Sequence, residues 1–65
     1  MIWEVWEWDG HYIQGKLLKK CESKEGAMKH AKKTIQYKKA TRLKKNEIFL
    51  EDANQMPIGV LIRRE

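Results

Sequence analysis

Three tryptophans fall within residues 3–8, in the run Trp-Glu-Val-Trp-Glu-Trp, and the next two residues are Asp9-Gly10. Side chains alternate sides along an extended strand, so Trp3 must point away from Trp6 and Trp8 if this run is a strand. No single covering layer then buries all three indoles. Asp-Gly is a strong hairpin signal, and residues 11–20, with Tyr12, Ile13, Leu17 and Leu18, read as the return strand. A two-residue turn pairs Trp8 with His11, Trp6 with Ile13, Glu4 with Gly15 and Ile2 with Leu17 on one side. The other side carries Glu7 with Tyr12, Val5 with Gln14 and Trp3 with Lys16. The first set is the more apolar and is expected to face the core, which leaves Trp3, Val5 and Tyr12 on the open side. A longer turn would shift the register and exchange the two faces.

Downstream, Ser23 is a good helix N-cap, and Glu25 in the first turn suits the helix dipole. Ala27, Met28, Ala31, Thr34 and Ile35 recur at helical spacing, which predicts a helix from about residue 24 to about residue 39 with a narrow, small-residue buried stripe. Residues 39–46 read as a basic connector. Glu47-Ile-Phe-Leu-Glu reads as a strand, Asp52-Ala-Asn-Gln as a turn, and Ile58-Gly-Val-Leu-Ile-Arg as a last strand just after Pro57. The expectation is one α+β domain over residues 1–65: a two-layer sandwich with a four-stranded, mainly antiparallel sheet in the order β-β-α-β-β and one helix on one face.

A chain of 65 residues buries only about 60% of its unfolded surface, so dimerisation is one way to supplement its core. The single Cys21 precludes an internal disulfide and points to a reducing compartment. The first residues show no signal-peptide pattern, and no apolar run is long enough to span a bilayer. A cytoplasmic chain without membrane association is expected.

The net charge is +5, but its layout says more. Between Glu25 and Glu47 stand Lys29, Lys32, Lys33, Lys38, Lys39, Arg42, Lys44 and Lys45 with no acid, while the rest of the chain holds six cations against nine acids.

The run from Ser23 to Lys33, Ser-Lys-Glu-Gly-Ala-Met-Lys-His-Ala-Lys-Lys, and the later Glu47-Ile-Phe-Leu-Glu-Asp52 resemble small bacterial and prophage domains of unknown function. These have a hairpin, a Ser/Thr-capped Ala-rich helix and a second hairpin. The resemblance covers roughly the C-terminal two thirds, implies no assigned activity, and hints at a mobile-element or phage origin. The Lys-rich connector and the lack of Asp-Gly in the last turn depart from that pattern.

Two binding surfaces follow from these residues. Lys29, Lys32, Lys33, Lys39, Arg42, Lys44 and Lys45 are the candidates for neutralising phosphates of nucleic acid, with little sequence readout, since lysines outnumber arginines eleven to three. The bland alternative is a solvated helix face and loop. Trp3, Val5 and Tyr12 are the candidates for a protein-partner surface, because Trp and Tyr dominate interface hot spots; the alternatives are a stacking platform of Trp3 and Tyr12 for single-stranded bases, opposed by Glu7 beside Tyr12, or packing against the chain's own termini or a second copy. His11, Cys21 and His30 share no metal-ligand spacing, and Glu51-Asp52 diverge along a strand. With no phosphate loop, nucleophile elbow or triad set, the chain is expected to be a non-catalytic module without cofactor or metal.

Overall fold

The structure is a computed structural model and describes residues 1–8 and 14–64. Six elements follow in order: β1 (Ile2–Trp8), β2 (Gln14–Cys21), α1 (Lys24–Thr34), β3 (Lys39–Lys44), β4 (Glu47–Glu51) and β5 (Pro57–Arg64). The fold is α+β, and the strands form one antiparallel sheet ordered β2-β1-β5-β4-β3. The sheet has five strands rather than the expected four. Residues 39–44, expected as a basic connector, pair with β4 from Lys39 opposite Glu51 to Lys44 opposite Glu47. Lysine is no obstacle to a strand here. β3 is an outer strand, and lysines on an edge hinder pairing with another chain. The opposite edge, β2, is lysine-rich for the same reason, with Lys16, Lys19 and Lys20.

α1 begins where expected. The Ser23 hydroxyl accepts the Gly26 N–H at 3.0 Å, and Glu25 sits in the first turn. The helix ends at Thr34, short of the expected 39. Gln36 adopts a positive φ of 60°, and the N–H groups of Ile35 and Gln36 both donate to the Ala31 carbonyl, at 2.7 and 3.0 Å. A left-handed residue of this kind closes a helix by satisfying its last carbonyls. Tyr37 then turns into the core, and the Lys38 N–H donates to the Glu51 carbonyl at 2.8 Å, which docks the start of β3 on β4.

The faces of β1 are the reverse of those expected. Trp3 and Val5, assigned above to the open side, are 5% and 0% exposed and join Ala27, Ala31, Tyr37, Ile48, Leu50 and Leu61 in the core. Trp6 and Trp8 are half-buried on the opposite side of the strand. Register is the cause. Trp3 stands opposite Cys21 and Trp8 opposite Gln14, in place of Lys16 and His11. The Asp9-Gly10 turn itself lies outside the described residues. Because α1 starts three residues after Cys21, the chain lays the helix over the side that carries Cys21 and Trp3.

Small residues let the helix approach closely. Ala27 and Ala31 are fully buried, and at Gly59 on β5 an added Cβ would stand 2.6 Å from Ile35 Cδ1 and 3.0 Å from the Trp6 carbonyl oxygen. β5 lies between β1 and β4 and is sealed on both sides: Val60, Leu61 and Ile62 are 2%, 0% and 3% exposed. Only Leu61 of these three belongs to the core beneath the helix. Val60 and Ile62, on the alternate side, belong to the helix-free face together with Trp6 and Phe49.

Candidate nucleic-acid interface

Every candidate cation is exposed, but the fold divides them into two groups. α1 packs on β1, β2 and β5, whereas β3 forms the far edge of the sheet. On the helix side, Lys29 and Lys33 meet Lys19 of β2, His30 and Gly26 around a shallow depression of about 190 Å³. Lys32 has a local role. Its Nζ donates to the Tyr37 carbonyl at 3.0 Å and lies 4.6 Å from the Tyr37 ring centroid, bracing the chain as it leaves the helix.

The second group gathers at the end of the sheet where β3 turns into β4 and β5 finishes. Lys45, Asn46, Arg63 and Arg64 line a depression of about 450 Å³. The turn is held from two sides: Arg42 Nη2 donates to the Lys45 carbonyl at 3.0 Å, and the Arg63 N–H donates to the Asn46 carbonyl at 2.8 Å. Lys44 adjoins, opposite Glu47, whereas Lys39 lies at the other end of β3, opposite Glu51. Residues 39–44, expected within a basic connector, therefore do not continue the helix face. They form an edge strand whose far end joins the C-terminal strand.

Lys19, Arg63 and Arg64 lie outside the basic run that the sequence singles out. Lys19 reaches the helix only through the β1–β2 register, and the two arginines reach Lys45 only through the pairing of β4 with β5. A run of cations is legible in a sequence; a cluster assembled from three strands is not. The arginines matter chemically, because the planar guanidinium matches phosphate oxygens better than an ammonium does.

A buried acid borders the second group. Glu4 Oε1 accepts from Trp6 Nε1 and from Arg64 Nε, each at 3.0 Å, with the Glu4 side chain 12% exposed and that of Arg64 56%. Burial by itself raises the Glu4 pKa. The two hydrogen bonds and the positive charges of Arg64 and Lys20 outweigh it and hold the carboxyl below its ordinary value. Glu4 is thus a stable anion that fixes both the Trp6 indole and the Arg64 guanidinium.

Of the proposed protein-partner residues, Trp3 and Val5 are buried under the helix and offer no surface, and Tyr12 lies outside the described residues. Among the described residues no three His, Cys, Asp or Glu side chains gather as metal ligands, and no helix is long and apolar enough to cross a membrane. No protein-family model, curated protein or solved structure matches the chain.

Proposed function

We propose that this chain is a non-catalytic module that binds nucleic acid electrostatically, with little sequence preference, through the cations at the β3–β4 end of the sheet. The observation that carries this is the open depression lined by Lys45, Asn46, Arg63 and Arg64, with Arg42 and Lys44 beside it. Clustered cations around a turn held by hydrogen bonds give a local field that attracts polyanions. Lys29, Lys33 and Lys19 form a second, helix-side contact for a polymer long enough to pass both. Trp3 and Val5 cannot form a protein-partner surface, because neither residue reaches solvent.

The test is binding to generic nucleic acid as a function of salt. Affinity should fall linearly on a log–log plot, and Lys44→Ala with Lys45→Ala should flatten the slope by about one per phosphate contact removed. Both lysines are exposed, so the double variant should melt like the parent. Absence of binding at low ionic strength removes the proposal. An unchanged slope in the double variant moves the contact to the helix side.

A further inference from the structure

We propose that the helix-free face of the sheet is a stacking platform for the bases of single-stranded nucleic acid, with Trp6, Trp8 and Phe49 as its rings. This deepens the nucleic-acid proposal above and rests on it, by naming single strands as the preferred form. On that face a row of direct cross-strand partners runs over all five strands: Leu17, Trp6, Val60, Phe49 and Thr41. Trp8 leans on Phe49 with ring centroids 5.4 Å apart and planes tilted by 54°. Each of the three rings is half-buried, so each keeps surface open to a ligand. Trp6 is further pinned by its hydrogen bond to Glu4. Rings already fixed in place lose little freedom when a base stacks on them.

The charge layout fits a strand whose bases lie centrally and whose phosphates pass over the edges. Lys20 stands on β2, Lys39 and Lys44 on β3, and Arg64 at the end of β5. Each of these cations stands beside an acid of the same face, so the acids are offset and little net charge of either sign is left there. Glu4 bonds Arg64, Glu51 accepts from Thr41 and stands opposite Lys39, and Glu47 stands opposite Lys44. Glu7, which would repel a phosphate chain, points to the other face, opposite Lys16. Open sheets with central aromatics bind single strands in this way, because every base has a π-face and no base-specific contact is needed.

A second copy of the chain is a poorer occupant. Five strands spaced about 4.8 Å apart and three rows of side chains make a patch of roughly 400–500 Å². Two such patches together fall short of the roughly 1,200 Å² at which stable interfaces begin. Both copies would also bring lysines on their outer strands.

The experiment titrates the full chain with a short oligothymidylate and, separately, with a duplex of equal length. Tryptophan emission and oligonucleotide anisotropy are followed at low and physiological salt. The expected result is quenching by the single strand, tighter binding of single strand than duplex, and a loss of about 5- to 150-fold per ring removed in Phe49→Leu and Trp8→Leu. Trp8→Phe, which retains a ring, should stay close to the parent. Leucine preserves most of the apolar burial, and a thermal melt of each variant separates lost stacking from lost folding. If Phe49→Leu does not fold, the Trp8 pair and the quenching of the parent decide.

Equal affinity for both forms, with Trp8→Leu unchanged while the Lys44/Lys45 variant is weakened, overturns the platform and leaves electrostatic binding standing. No binding of either form removes both. Concentration-dependent association that Trp8→Leu abolishes without changing oligonucleotide affinity identifies the face as a protein interface and overturns the platform.

Discussion

Trp3 and Trp6 stand three residues apart on β1 and meet opposite environments. Trp3 is sealed beneath α1 with Ala27, Ala31 and Leu61. Trp6 lies half-buried on the helix-free face, its indole N–H held by Glu4, between Leu17 and the buried Val60. The two faces of one strand thus divide the work: one supplies the core, the other a surface. Neither role can be assigned from the residue type, since both are tryptophan. What decides is the strand partner. Cys21 opposite Trp3 brings the helix to that side, and once the helix is there, strand alternation puts Trp6 and Trp8 on the face without it.

This contrast can be broken most forcefully at Trp3. Trp3→Ala should destabilise the chain by about 3–5 kcal/mol, enough to unfold a domain this small, whereas Trp8→Ala should remove about 1–2 kcal/mol. Urea denaturation gives both values, and equal losses would mean that the faces are not distinct. At Gly59, on the helix side of β5, substitution by Ala should destabilise by about 1–3 kcal/mol through crowding of Ile35 and the Trp6 carbonyl. Shortening Ile35 to Val removes the nearer obstacle. The Gly59→Ala effect should therefore shrink in that background, and a thermal-melt cycle measures the coupling.

On the opposite face, Glu4→Ala should destabilise by about 1–2 kcal/mol by leaving Trp6 and Arg64 without their acceptor. The pH dependence has a fixed sign. The Glu4 pKa is lower in the folded chain than in the unfolded one, so its stabilisation is fully present above the unfolded value. It is lost as pH falls through the folded value. Glu4→Gln should flatten that part of the acid limb in a melt series, and an unchanged limb would refute the linkage. The smallest effect belongs to Ser23→Ala, about 1 kcal/mol from the lost helix cap. Read by circular dichroism, it should weaken α1 while leaving the oligonucleotide affinity of the helix-free face intact.

Much of the architecture was legible in the sequence. Ser23 marked the start of the helix, and residues 47–51 and 58–63 were readable as strands from their β-branched and aromatic content. β3 was concealed because an outer strand needs little apolar content, so Lys39, Arg42 and Lys44 dominated its pattern. The orientation of β1 was concealed for a different reason. With the turn taken as two residues, the side of Trp6 and Trp8 also carried Ile2, Ile13 and Leu17, was the more apolar, and looked like the core. The observed register gives that place to Trp3 and Cys21. The candidate site shows the same limit. Each lysine of the basic run is exposed as its composition implied, yet the grouping with Lys19, Arg63 and Arg64 depends on which strands pair.

Nuclear Overhauser contacts of the three indoles test the two-faced sheet most directly. The Trp3 ring should show cross-peaks to the methyl group of Ala27 or Ala31, and the Trp8 ring to Phe49 with none to the helix. Cross-peaks from Trp6 or Trp8 to the helix methyls, with Trp3 free of them, would contradict the assignment of faces and the base-stacking platform that depends on it.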